Sequence, residues 1–326
     1  MIANGIVIAQ VAEGFDLFVN TVIKGVSLGA IYAILALGFV LIFKATQVVN
    51  FAHGAIAAFG AYMVVYFATV VNFPGRYLGS LPGWGQWILS ALLAIAVTAL
   101  LGIIVERLAI RPMIGKPLFA VAIITLGLAL VIGTITNDLM RNESRGLGDP
   151  WGATSRNPFG DVRIADTQLV TLVVIVGLVL LLAWFFRTKT GVAMRATAFD
   201  QETALAQGIN VGMIFSLAWA MGAALAAVGG IFFSVFPRGA AGVSPATEFA
   251  VFAVFPVVVI GGLDSIAGAI VGGMLVGLSV EFAGTYLADV SWLGFGFSGI
   301  VPWLLMMVVL LVRPYGIFGT EEIRRV

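Results

Sequence analysis

Long apolar runs alternate with short polar breaks along almost the whole chain. A bilayer core requires about 20 apolar residues of a helix, and runs of that length recur. They predict spans over about Val19–Phe43, Asn50–Val71, Ile88–Ile110, Leu118–Leu139, Thr167–Phe186 and Met213–Phe236. A further run, Phe249–Ile260, meets GGLDS (261–265) and continues, rich in Gly and Ala, to about Leu287. The last span ends at Arg313–Pro314. Read as a break, GGLDS gives nine spans; read as a kink, it gives eight. The expectation is an all-α, polytopic integral membrane protein of about 8–10 transmembrane helices, broken around a central path and forming one domain over 1–326.

Two polar stretches interrupt this pattern at length. One is 137–166, with mixed charges. The other is RTKTGVAMRATAFDQETALAQGINV (187–211), with three cations (Arg187, Lys189, Arg195) followed by Asp200 and Glu202. Thr197-Ala-Phe-Asp200 reads as a capping box, predicting a short helix over Gln201–Gln207 that stops at Gly208.

Composition agrees with the membrane class: 61% of residues are hydrophobic and 10% charged, against roughly 45–50% and about 25% in soluble domains. The net charge of +1 gives no reason to invoke nucleic acid. There is no cysteine and one histidine, which excludes thiol chemistry and a multi-His metal site. No cofactor is implied. The first residues, MIANGIVIAQVAEGFDLF, lack the basic region of a signal peptide and read as mature chain, with residues 5–18 as a possible separate interfacial helix.

Charge bias sets the sides. In the nine-span reading Lys44, Arg107, Arg111, Lys116, Arg187, Lys189, Arg195, Arg313, Arg324 and Arg325 all fall together. That predicts a cytoplasmic 187–211 loop and C-terminus, an external 137–166 loop and an external N-terminus.

Polar residues at membrane depth are costly unless they face protein or water. Gln47, Asn50 and His53 recur by threes between the first two spans, and Gly54 then opens a new helix. A helix that starts inside the membrane offers unsatisfied N–H groups and partial positive charge, which suits a carboxylate; capping at the interface is the plainer alternative. In GGLDS, Gly261 and Gly262 supply backbone freedom, and Asp264 or Ser265 can cap the next helix. Aligning His53 with Asp264 gives a faint internal repeat. These residues, with Phe51 between Asn50 and His53, are the candidate translocation path. Glu106 and Arg107 are expected to snorkel at a span end, Glu281 to lie near the outer surface, and Lys24 to anchor at the interface. The small-residue runs 222–230 and 268–277 predict close helix packing. No nucleotide-binding motif is present: Gly115–Lys116 is followed by proline, without a glycine five residues earlier.

The chain resembles the permease subunits of bacterial ABC importers for branched-chain amino acids, the LivH type. The resemblance rests on VNFAHG (49–54), ERLAIRP (106–112), the 187–211 stretch, GAALAAVGG (222–230), VVIGGLDSIAGAIVGGMLVG (258–277) and VRPYGIFG (312–319). It implies a bacterial inner-membrane subunit, not itself an enzyme. Its implied partners are a second homologous permease forming a heterodimer, two cytoplasmic ATPases and an external amino-acid-binding protein. It gives the 187–211 stretch the role of an ATPase-coupling segment, with Arg195, Thr197, Asp200, Glu202, Leu205, Gly208 and Asn210 as candidates. Two positions depart from the family pattern: Asp264 stands where a glycine is usual, and the 200–208 stretch differs from its relatives. Other readings are a urea or short-chain amide permease, a stand-alone channel or ion-coupled carrier, and a membrane scaffold.

Overall fold

A computed structural model describes residues 2–320 apart from 159, 236, 239–241 and 295, and, for side chains, apart from 2–13, 118 and 250. Among the described residues seven helices are long and apolar enough to cross a membrane, and two shorter apolar helices accompany them. The first, α1 (Ile2–Thr46), is continuous. Residues 5–18 therefore extend the first span instead of forming a separate interfacial helix. Nothing in their sequence stops a helix: there is no proline, and the glycines stand alone.

The order continues with α2 (His53–Val65), which ends in a π-helical turn over Tyr66–Val70, and α3 (Gly83–Val105), which ends in another over Glu106–Ile110. Then come α4 (Leu118–Met140), α5 (Asp166–Phe185), α6 (Lys189–Phe199), α7 (Gln201–Ala206) and α8 (Val211–Phe233). The last are α9 (Thr247–Val251), α10 (Val254–Gly261), α11 (Ile266–Tyr286) and α12 (Phe297–Val312). A two-residue antiparallel pair, β1 (Ser155–Arg156) and β2 (Ile164–Ala165), stiffens the long loop before α5. GGLDS is a break, with Gly262 at φ +103°.

Helix α1 is the hub: its run from Leu28 to Ile42 is almost wholly buried. The small-residue stretches make this possible. Gly29 of α1 meets Gly273 and Met274 of α11, and Gly277 meets the Gly29 backbone. On the other flank Gly38 meets Gly222 of α8. Gly60 of α2 packs against Ala227, and Gly102 of α3 against Trp219 and Ala223. In lipid, where apolar burial drives little association, such backbone contact is the principal adhesive.

The polar groups sort to two ends. At one end Lys44 Nζ donates to the Asp264 carbonyl at 3.1 Å, and Arg111 reaches the start of α8 at Gly212 and Ser216. At the other, Asn20 bonds Asp161 and Arg163 of the long loop, and Trp87 Nε1 donates to Leu147 O at 3.0 Å. There too Arg238 pairs with Glu281 and donates to the Lys24 carbonyl, so Glu281 is ion-paired.

Glu106 corrects the snorkelling expectation. It has no exposed side-chain surface and is held by both Arg111 nitrogens, Nε and Nη2, at 2.9 Å each. Ser216 Oγ donates to the same carboxylate at 2.7 Å. With its acceptors filled, the acid stays inside the bundle.

Candidate functional site

The junction of α1 and α2 lies inside the bundle. Helix α1 ends on Gln47, whose φ of +57° turns the chain back. The chain then re-enters the bundle, so that His53 packs against Gly38 and its Nε2 lies 2.9 Å from the Leu35 carbonyl. Gly38 precedes Thr46 by about 12 Å of helix at 1.5 Å per residue. Helix α2 thus begins level with a point about 12 Å back along α1, within the span and not at its end.

A local turn makes that start. Asn50 Oδ1 accepts from Ala52 N at 3.0 Å, and Phe51 N donates to Thr125 Oγ1 of α4 at 3.2 Å. Thr125 in turn donates to Val49 O or Ala122 O. Asn50 and His53 are 1% and 3% exposed, yet Asn50 Nδ2 and His53 Nδ1 have no partner among the described residues. Because Leu35 O can only accept, the His53 proton resides on Nε2 and leaves Nδ1 a bare acceptor. Each such orphan costs about 1–3 kcal/mol in a dry interior. One unused donor and one unused acceptor therefore stand together at a broken helix.

Phe51 stacks on Phe255 of α10 with ring centroids 5.1 Å apart, and Phe39 meets both Phe255 and His53 edge-on. The opposite wall is irregular. From Ser234 to Ala253 only α9 is helical among the described residues, and Glu248 of α9 places its carbonyl against Gly54. Non-helical backbone at this depth is tolerated where protein or a cavity surrounds it.

The second predicted cluster lies elsewhere. Lys44, Gln47, Arg195, Thr197, Asp264 and Thr320 line a cleft of about 650 Å³ at the end where α1 stops. Asp264 Oδ1 accepts from Thr320 N at 3.3 Å, and Oδ2 from the Thr320 hydroxyl. Ser265 is the residue that caps α11, through Gly268 N at 3.0 Å. Gly261 and Gly262 serve the closing segment: Phe318 N donates to Gly261 O at 3.0 Å, and Gly262 packs against Gly319. So Gln47 and Asp264 share one cleft, Asn50, Phe51, His53 and Gly54 share the deeper junction, and the glycines form a joint beside them.

The 187–211 stretch holds two helices where one was expected. Helix α6 is capped by Thr188, whose Oγ1 accepts from Gly191 N at 3.2 Å. The cap of α7 is Asp200, which accepts from Thr203 N at 2.9 Å and Thr203 Oγ1 at 2.8 Å. These bonds hold the Asp200 carboxyl below the usual carboxylate range, the backbone bond contributing most. Thr197, the expected partner in a capping box, bonds back to Ala193 O inside α6. Gly208 stops α7 at φ +80°, and Asn210 caps α8 through Met213 N at 3.0 Å. Phe199 is 94% exposed, Leu205 58%, and Arg195 and Glu202 are exposed beside them.

Sequence reasoning missed Thr125, Phe255 and Glu248. Thr125 and Phe255 sit inside apolar runs without a mark. Glu248 had one: it is the only ionisable residue between Arg238 and Asp264.

Comparison with known proteins agrees with this architecture. The family model "Branched-chain amino acid transport system / permease component" matches residues 21–311. The high-affinity branched-chain amino acid transport system permease protein LivH of Escherichia coli is 28% identical, over 97% of this chain and 100% of that protein. BraD of Pseudomonas aeruginosa, described in the same words, is 30% identical over 95% and 98%. A probable LivH of Methanocaldococcus jannaschii is 30% identical over 88% of each chain. This multi-pass membrane protein therefore belongs to the family of branched-chain amino acid transport permease components.

Proposed function

We propose that the chain is the membrane-spanning permease subunit of an ATP-binding-cassette importer for leucine, isoleucine and valine. Separate cytoplasmic ATPases drive it, an external binding protein supplies the amino acid, and a second homologous permease completes the pore. The observation that carries the reading is the start of α2 inside the bundle, with an unused donor on Asn50 and an unused acceptor on His53. A small zwitterion needs both kinds of partner, and its apolar side chain suits the Phe39–Phe51–Phe255 wall.

In this reading Asn50, Phe51, His53 and Gly54 line the path at mid-depth. Gln47 and Asp264, with Lys44, form its cytoplasmic mouth, beside the Gly261–Ser265 joint. The cationic end of the bundle faces the cytoplasm. There α6 and α7 dock on an ATPase through Phe199 and Leu205, with Arg195 and Glu202 as polar neighbours. Thr197, Asp200, Gly208 and Asn210 fix the shape of that surface.

The test is reconstitution with the neighbouring transport subunits in proteoliposomes. ATP-dependent uptake of leucine, and little of urea, is expected. Uptake of urea with leucine excluded favours the amide permease, and uptake driven by an ion gradient without ATP overturns the reading.

A further inference from the structure

Glu248 is a half-buried carboxylate on the short helix α9, beside the start of α2. Arg238 lies at one end of the bundle, and α10, which follows α9, runs to the Gly261 joint at the opposite end. The Glu248 carbonyl touches Gly54, and its carboxylate rests on the bare backbone of α4 at Gly133, where a Cβ would displace it. Gly133 is buried, and it precedes Met140 by about 10 Å of helix. Neither glycine offers a countercharge. The ion pairs of the described residues are Glu106–Arg111, Glu143–Arg145, Asp166–Arg156 and Glu281–Arg238; Glu248 belongs to none of them. An ionisable residue within a membrane-spanning bundle is by default a candidate for a substrate or ion route.

We propose that the Glu248 carboxylate receives the ammonium group of the amino acid as it crosses, a role that rests on the permease reading above. The substrate's carboxylate then faces the start of α2 and the free Asn50 amide. The two ends of the zwitterion are thus recognised by opposite charges on the two sides of Gly54. Glu248 acts as a specificity-determining residue: it favours amines over uncharged amides and excludes anions such as the 2-hydroxy acid of the same skeleton.

The experiment uses the whole reconstituted complex. Glu248→Gln is expected to lower the maximal rate of leucine uptake at least ten-fold, with the partner permease and the ATPases still co-purifying. Glu248→Asp is expected to recover it to within about three-fold. Because this chain has no cysteine, Glu248→Cys provides its sole thiol. A membrane-impermeant cationic methanethiosulfonate, read by mass spectrometry of this chain, should label it while sparing Val173→Cys on the exposed face of α5. Wild-type leucine uptake in Glu248→Gln, or an unlabelled thiol in Glu248→Cys, overturns the proposal. Loss of the partner permease in Glu248→Gln also overturns it, in favour of an interchain salt bridge. Absence of leucine uptake in the wild-type complex refutes the amino-acid reading instead, and labelling at position 248 then still decides whether the residue lies on a water-filled route.

Discussion

Glu106 and Arg111 are joined twice, through their side chains and through the Arg111 N–H to the Glu106 carbonyl. That backbone bond is the i to i+5 bond of a π-helical turn. In an α-helix, residues five apart point about 140° away from each other. The wider turn brings them to one side, where Ser216 and Gly212 of α8 complete the cluster. The turn therefore ties α3 to the helix that follows the 187–211 stretch.

Removing the cation while keeping the acid leaves a carboxylate with no solvent exposure. Arg111→Ala is expected to destabilise the protein by less than the roughly 3–5 kcal/mol of a fully buried pair, because Arg111 is itself 40% exposed. The double replacement Glu106→Met with Arg111→Met should cost much less, because no charge is stranded. Thermal unfolding in detergent, followed by tryptophan fluorescence, compares the two; equal losses would contradict the stranded-charge account.

The seam between α1 and α11 has no room for a side chain. Gly277→Leu places a branched chain against the Gly29 backbone. Overpacking of this kind costs about 1–3 kcal/mol or more. Gly127→Leu on α4, where nothing lies within 4 Å of an added Cβ, should leave the melting temperature within experimental error. Fluorescence-detected size exclusion after heating measures both.

The Asp200 cap has a definite pH signature. Its carboxyl titrates below the usual range because Thr203 bonds the charged form. The stabilisation is therefore fully present above the unfolded-chain value, and it is lost as pH falls through the lower folded value. Protection of the Thr203 amide, its exchange rate relative to the intrinsic rate at each pH, should hold from neutral pH down to the ordinary carboxylate range and fall only below it. Asp200→Ala should expose that amide at every pH and weaken recovery of the ATPases, with the membrane spans unchanged.

Function and stability should part company at the α2 junction. Asn50→Leu removes an unsatisfied donor as well as the cap to Ala52, so its net cost should stay within about 1 kcal/mol. Leucine uptake should nevertheless fall at least ten-fold. His53→Ala should behave alike in uptake, while its ATPases still co-purify. Wild-type uptake by both variants would return the two residues to helix capping.

Much of the bundle was legible because the bilayer imposes its own length on apolar runs. What escaped depended on partners distant in sequence. The segment PRGAAGVSPATE reads as a loop, and its prolines and glycines carry no mark of what its last residues touch. Glu248 gives no sign there of its contacts with Gly54 and Gly133. Helix α6 was missed because Gly191 dilutes its pattern; Gly191 is there because the Phe185 carbonyl passes too close for a Cβ. Two of the motifs behind the family resemblance, 258–277 and 312–319, are one structural unit, since the closing segment bonds Ile260 and Gly261.

The burial of α1 also has a consequence for biogenesis. It is made before α8 and α11, yet those are the helices that match its glycine-rich flanks. From Thr46 to Ile266 is about 220 residues, roughly 10–45 s of translation at about 5–20 residues per second. Until α11 arrives, the face of α1 around Gly25 and Gly29 has no partner shaped for its backbone. Yield of the intact protein should therefore respond to translation rate and to membrane insertases more than to the hydrophobicity of any one span.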